Sequence, residues 1–559
     1  MSRKRSVLAF ATAALVISPP ALAEDAAPAS TGPVVSQSAP AQPPRLVVAI
    51  AVDQFSADLF AQYRVHYTRG LARLQTGAVF PSAFQSHSAT ETCPGHSTLL
   101  TGAHPAHTGI VANNWFDPKL KRDEKQIYCA EDETDPASSP DEPVVSAGHL
   151  KVPTLGDRMK AANPLSRNVS VSAKDRAAMM MGGHSLDASY WWEGEGFVTF
   201  RGRKPSAAAK AENAQLAGEI AAGKPGLPVP AFCTAMDRPV HLGDMTVGTY
   251  KFEVPPGQPK IFKRTTYVDR ATADLAIRLI DEMKLGADTV PDVLSVSFSA
   301  TDYVGHAFGH EGVEMCLQMD QLDRNIGLLL DALDKRGIDY VVVLTADHGG
   351  IDAPERLTEQ GFPQAARADA SLDIAALSAE VTKKAGIAAP SGPLLFGGGG
   401  SGDIYVSAGV PAKDKQKVVA GLVEILKAHP QVAAVFTAQE LAQAPAPAGR
   451  PQDWTLLDRA RGSFDASRSG DVTVLLDRGI VPGEPRPGYV TTHGSPWDYD
   501  RRVPLLFWRK GMPGMEQPAP VETVDIAPTL AALLDLKVED GAFDGRCLDI
   551  DGSAGNICD

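Results

Sequence analysis

Positive charge is scarce in this chain: 53 lysines and arginines face 67 aspartates and glutamates, for a formal net charge of −14. Binding a nucleic-acid backbone calls for a basic face, so that class of function is excluded. Cysteine is also sparse. The six present (Cys93, Cys129, Cys233, Cys316, Cys547 and Cys558) include no CxxC pair, which argues against a cysteine-bound zinc ribbon. No apolar run approaches the ~20 residues that span a bilayer, so no membrane anchor is expected. The run Gly397–Gly402 lacks the GK[ST] ending of a phosphate loop and reads as a flexible loop before a strand at Asp403–Val406. No internal repeat organises the chain.

What is present begins with Arg3, Lys4 and Arg5, an apolar stretch from Val7 to Ile17, and Ala21-Leu22-Ala23. This is the three-part form of a secretory signal, and it sets residues 1–23 apart from the fold and predicts a periplasmic or secreted protein. Its removal takes the formal charge from −14 to −17. Export permits disulfides, and the even cysteine count allows fifteen pairings. Sequential pairing is expected: Cys93 with Cys129, Cys233 with Cys316, and Cys547 with Cys558. Residues 24–44, rich in Ala, Pro, Ser and Gln, read as a disordered leader.

From Arg45 onward, apolar β-branched runs alternate with helical stretches. Leu46–Val52, Asn168–Ser172, Val293–Phe298 and Tyr340–Leu344 read as buried strands, and Ala271–Met283 and Glu314–Leu333 as helices. The alternation predicts an α/β fold with a doubly wound, mainly parallel central sheet flanked by helices. The whole of 45–559 is expected to form one catalytic domain with inserted cap segments at about 117–150, 191–265 and 354–470. The last of these reads as helical segments around the glycine run.

Strand ends in such a sheet share one edge, where ligands bind. Asp53, Asp302, His306, Asp347, His348 and His493 all fall at or just beyond such ends. Asp302 and His306, four apart, share one face if that stretch is helical, and Gly349-Gly350 is expected to give the chain freedom to turn after His348. Mixed Asp/His ligation without thiolates suits catalytic zinc, with manganese as the competitor. An acidic protein acting on anions must concentrate positive charge locally, and bound divalent metals do so. Thr92, in Ser88-Ala-Thr-Glu-Thr-Cys-Pro-Gly-His-Ser97, is the candidate nucleophile, with Pro94 expected at the first position of a helix. Lys174 and Arg176 follow the Asn168 strand as a candidate anion clamp.

The blocks ATDYVGH (300–306), TADHGG (345–350) and THGSP (492–496), with Val524-Asp-Ile-Ala-Pro-Thr-Leu530, resemble the alkaline phosphatase superfamily. The closer resemblance is to its secreted, monomeric PhoK-like and PafA-like alkaline phosphatases, from about Arg45 to the C-terminus. The resemblance implies one Zn2+ on Asp302, His306 and His493, and a second on Asp53, Asp347 and His348 with the Thr92 oxygen. It implies a phosphothreonine intermediate on Thr92 and phosphate monoesters as substrates, gripped by Lys174, Arg176 and an amide from Asn113, with Asn114 the fallback. A nucleotide pyrophosphatase or phosphodiesterase of the same superfamily is the alternative. A sulfatase is disfavoured because the C-x-P-x-R signature is absent, and a cofactor-independent phosphoglycerate mutase because it uses Ser in the cytoplasm. The acidic stretch Asp544–Asp551 is a weak candidate for a separate Ca2+ site.

Overall fold

The strand Leu46–Val52 is buried along its whole length because it runs between two parallel neighbours with both faces covered, which is why it reads as an unbroken apolar run. The computed structural model describes residues 42–387, 392–398, 402–550 and 555–558. The expected signal, residues 24–41 of the leader, residues 399–401 of the glycine run and Asp551 of the acidic stretch lie outside these.

Nine strands form the central sheet, in the order Met515–Glu516, Ala78–Phe84, Arg502–Arg509, Tyr340–Thr345, Leu46–Val52, Asp292–Phe298, Asn168–Ser172, Ala188–Glu193, Gly196–Val198. All run the same way except Arg502–Arg509 and Gly196–Val198. The expected mainly parallel α/β sheet is therefore present, with one reversed strand inside it. Helices flank the sheet. Val313–Lys335 packs on Tyr267–Met283, and Thr92–Thr101 on Asp175–Gly182.

Register fixes the edge. Val52 lies beside Phe298, Ala51 beside Thr345, and Ser297 beside Ser172, so the chain leaves four strands at one level. Leu506 pairs with both Leu344 and Val79, so Ala78–Phe84 and the reversed strand continue past that level to the pair Phe84 and Arg502, on the same side of the sheet. The segments carrying Thr92 and His493 thereby reach the same place from opposite directions.

A second, four-stranded antiparallel sheet joins Leu395–Gly397, Gly402–Val406, Val472–Leu476 and Val432–Thr437. With the helices Ile374–Ala385 and Ala412–Ala428 it encloses its own core, including Leu377, Leu422 and Val474. The helical segments and the strand expected at Asp403–Val406 are present, and the other three strands are additional to what the sequence predicts. The strand Val432–Thr437 is largely half-exposed, so its sequence lacks the continuous apolar signal of the central strands.

The three disulfides pair as expected: Cys93–Cys129, Cys233–Cys316 and Cys547–Cys558. Among the described residues no helix is long and apolar enough to cross a membrane.

Candidate active site at the carboxyl edge of the sheet

Thr92 is wholly buried and opens the helix Thr92–Thr101, so Pro94 occupies the third helical position rather than the first. Proline is tolerated there because the first-turn N–H groups have no intrahelical partner. Gly95 allows the helix to sit on the chain after the Tyr340 strand: a Cβ at Gly95 would lie 2.0 Å from the Asp347 carbonyl oxygen.

Asp53 follows its strand directly and Asp347 stands two residues beyond its own, Asp302 and His306 share a face of the helix Ala300–Phe308, and His493 precedes the reversed strand. Two groups result, Asp302/His306/His493 and Asp53/Asp347/His348, each with its ligand atoms within 4.8 Å of one another. His493 stacks on His348 at 3.7 Å, which joins the groups. The Gly349-Gly350 pair serves space rather than freedom of φ, since neither glycine has positive φ. A Cβ on Gly349 would meet the Tyr499 carbonyl oxygen at 2.2 Å, and one on Gly350 the His310 ring at 2.5 Å.

The three imidazoles share one orientation. Nδ1 of His306 lies 2.9 Å from the Thr491 carbonyl, Nδ1 of His348 2.8 Å from that of Gly349, and Nδ1 of His493 2.8 Å from that of Thr90. A carbonyl only accepts, so each Nδ1 donates and each ring turns its Nε2 toward the site. Burial pushes His348 down to about 3, keeping its ring neutral. Burial and the nearby Asp347 push Asp53 well above the usual carboxylate range. For Asp302 burial acts in the same direction, but Lys174 and His306 outweigh it and hold the group well below that range.

Lys174 stands between the groups, its Nζ 2.7 Å from Asp53 and 2.5 Å from Asp302. Lys174 Nζ and Arg176 Nη2 each lie 3.4 Å from Thr92 Oγ1. Three buried carboxylates thus face two cations, and Asp53 Oδ1 and His348 Nε2 are buried without a hydrogen-bond partner. Such atoms are disfavoured in a protein interior unless something binds them. The donor set, three carboxylates and three imidazoles with no thiolate, fits divalent metal.

Asn113 is fixed on three sides. Its N–H donates to Glu91 Oε2 at 2.6 Å, its carbonyl accepts from Cys129 N at 3.0 Å, and its Oδ1 accepts from Cys93 N at 2.8 Å. The side-chain NH2 is the end left over. Asn114 is exposed on the strand Asn114–Phe116. Asp544 is engaged elsewhere, accepting from His104 N at 2.7 Å and pairing with His107 Nδ1 at 2.7 Å.

Two participants were missed in the sequence. Gln54, with φ of 64°, donates its N–H to Asp347 Oδ1 at 3.1 Å and its Nε2 to Asp302 Oδ1 at 3.3 Å, bracing one carboxylate from each group. A non-glycine residue at positive φ is a strained position of the kind that gathers at functional sites. His96 places Nδ1 3.0 Å from Asp347 Oδ2 and Nε2 2.9 Å from Ser297 Oγ. Its spacing from Thr92 carried a signal, since four residues make one helical turn.

A mainly parallel α/β sheet whose edge gathers two Asp/His groups able to hold metal, around a buried hydroxyl flanked by two cations, is the arrangement of an enzyme that acts on anions. The family profile "Type I phosphodiesterase / nucleotide pyrophosphatase" matches residues 47–496. The chain is 51% identical over 527 residues to the alkaline phosphatase PhoK of Sphingomonas sp, covering 94% of each. It is 27% identical over 529 residues to the alkaline phosphatase PafA of Elizabethkingia meningoseptica, covering 89% of this chain and 93% of that one. The crystal structure of wild-type PafA superimposes with a TM-score of 0.79 at 26% identity, over 92% of this chain and 100% of that one. The chain belongs to the type I phosphodiesterase/nucleotide pyrophosphatase family, among the PhoK-like and PafA-like alkaline phosphatases, and it is a phosphoric monoester hydrolase. The resemblance read from the ATDYVGH, TADHGG and THGSP blocks is borne out.

Proposed function

We propose that this alkaline phosphatase hydrolyses small phosphate monoesters through a phosphothreonine on Thr92, with zinc held by Asp302, His306 and His493 and by Asp53, Asp347 and His348. The observation that carries the reading is the pair of cations, Lys174 and Arg176, each 3.4 Å from Thr92 Oγ1. A monoester carries one more negative charge than a diester, and cations meeting that charge lower the barrier where it persists into the transition state. Zinc, when bound, supplies Lewis acidity that favours ionisation of the Thr92 hydroxyl and offsets charge on the phosphate.

The chain's own residues do the rest. The Thr92 oxygen forms a bond to phosphorus as the bond to the leaving alcohol breaks, and water then displaces Thr92 and releases phosphate. Lys174, Arg176 and the Asn113 NH2 orient the phosphate oxygens, and Arg176 is suited to a two-point grip. The helix beginning at Thr92 adds its positive end. We further propose that residues 1–23 direct export, that 117–150, 191–265 and 354–470 are insertions in one catalytic domain, and that the enzyme acts as a monomer.

A diesterase is the second reading, drawn from the family profile's description; the alkaline phosphatase relatives do not favour it. The test of the nucleophile is Thr92→Ala, which is expected to abolish steady-state turnover of aryl phosphates with zinc content nearly intact, because Asp and His supply most of the ligation. Near-normal activity would show that another residue attacks phosphorus. Chelation is expected to remove activity, with zinc restoring it better than magnesium.

A further inference from the structure

We propose that a cleft beside the nucleophile receives the alcohol part of the substrate and is built for an uncharged, ring-bearing group and against a second anion. This rests on the reading of Thr92 as the attacking residue.

The cleft has a volume of about 330 Å³, which is within the range of small-molecule sites. Glu91, Asn114 and Gly494 line it, and each is the chain neighbour of a residue of the site: Thr92, Asn113 and His493. Its aromatic surface comes from Phe116, Tyr405 and Phe464. The Phe116 and Tyr405 rings lie 5.7 Å apart, and the Tyr405 hydroxyl is tied to the Arg468 carbonyl at 2.9 Å, so the ring is held in place. One wall therefore belongs to the segment that carries Asn113 and the other to the four-stranded sheet.

Charge divides the two parts of the site. At Thr92 stand Lys174 and Arg176. Among the described residues lining the cleft there is no lysine or arginine, and Glu91 has no ion-pair partner among the described residues. Its carboxylate is bound to the Asn113 N–H, and a Cβ at Gly494 would lie 3.6 Å from its Cγ, so it stands where the segments carrying Thr92, Asn113 and His493 meet. One phosphate is attracted at the seat, while a further negative group on the alcohol meets a carboxylate that no lysine or arginine offsets. Aromatic walls favour a flat ring.

Two variants test this through ratios of kcat/KM. Phe116→Ala is expected to lower the phenyl phosphate to methyl phosphate ratio about five- to ten-fold, as the loss of one ring contact predicts. Gln126→Lys, at another lining position on a short surface hairpin, is expected to raise the 4-carboxyphenyl phosphate to phenyl phosphate ratio about five-fold at low salt, an effect that high salt erases. Because each ratio is taken within one variant, a partial loss of folded enzyme cancels. If methyl phosphate is turned over and both ratios match wild type, the subsite is overturned and the phosphatase reading stands. If the wild-type enzyme turns over none of the esters, the phosphatase reading falls and this inference with it.

Discussion

The central sheet and the four-stranded sheet differ in where their strands end. In the central sheet, aligned strand ends deliver Asp53, Lys174, Asp302 and Asp347 to one level. In the four-stranded sheet antiparallel pairing sends successive strands in opposite directions, so no edge collects chemistry. None of the proposed catalytic or ligand residues comes from it. The difference teaches a division of labour: a parallel sheet concentrates reactive groups, while the antiparallel region shapes what reaches them.

The strongest way to break this comparison is at the phosphate seat. Replacing Lys174 and Arg176 together by Ala is expected to lower monoester turnover by two or more orders of magnitude, roughly 3 kcal/mol or more of transition-state stabilisation, while diester hydrolysis falls much less. The mono-to-diester ratio in a folded, zinc-loaded variant is the measurement. An unchanged ratio would favour the diesterase reading.

The second region is probed by Leu422→Ala, in the separate core around Leu377 and Val474. Truncating a fully buried leucine costs about 2–5 kcal/mol. An early unfolding step is expected in calorimetry, with kcat/KM for methyl phosphate within about two-fold of wild type, as for distant independent sites. A parallel collapse of activity would show that the regions are not separable in this way.

The smallest effect concerns the scaffold under Lys174. The Asp157 carboxylate accepts from Thr154 N at 2.9 Å and from Ser185 N at 2.6 Å. Burial raises its pKa, but hydrogen bonds from His184, Thr154 and Ser185 outweigh burial and hold it at about 2. A depressed folded pKa contributes stability that is present above the unfolded value of about 3.9 and is lost as pH falls toward 2. Asp157→Asn is therefore expected to lose about 2 kcal/mol at pH 7 and progressively less below pH 4. Urea unfolding at pH 7, 4 and 3 measures this. A loss that does not shrink with pH would assign the effect to packing.

Much of the catalytic edge was legible because its strands are buried on both faces and so read as continuous apolar runs that end at charged residues. Leu46–Val52 leading into Asp53 is the clearest case. Asp302 and His306 were legible through helical spacing. Gln54 was not, because it acts through its backbone N–H, an unusual φ and an amide reaching toward Asp302, none of which leaves a residue pattern. The reversed strand Arg502–Arg509 was also hidden, since a buried strand reads alike in either direction. The antiparallel region was half legible: its helices are amphipathic, but its short strands alternate weakly.

The central claim is that Thr92 carries the phosphoryl group between the ester and water. Transfer of a phosphoryl group made chiral at phosphorus, from an aryl ester to an alcohol acceptor, tests it most directly, because each in-line displacement inverts phosphorus. Two displacements through Thr92 predict net retention; net inversion would mean direct transfer and contradict the account.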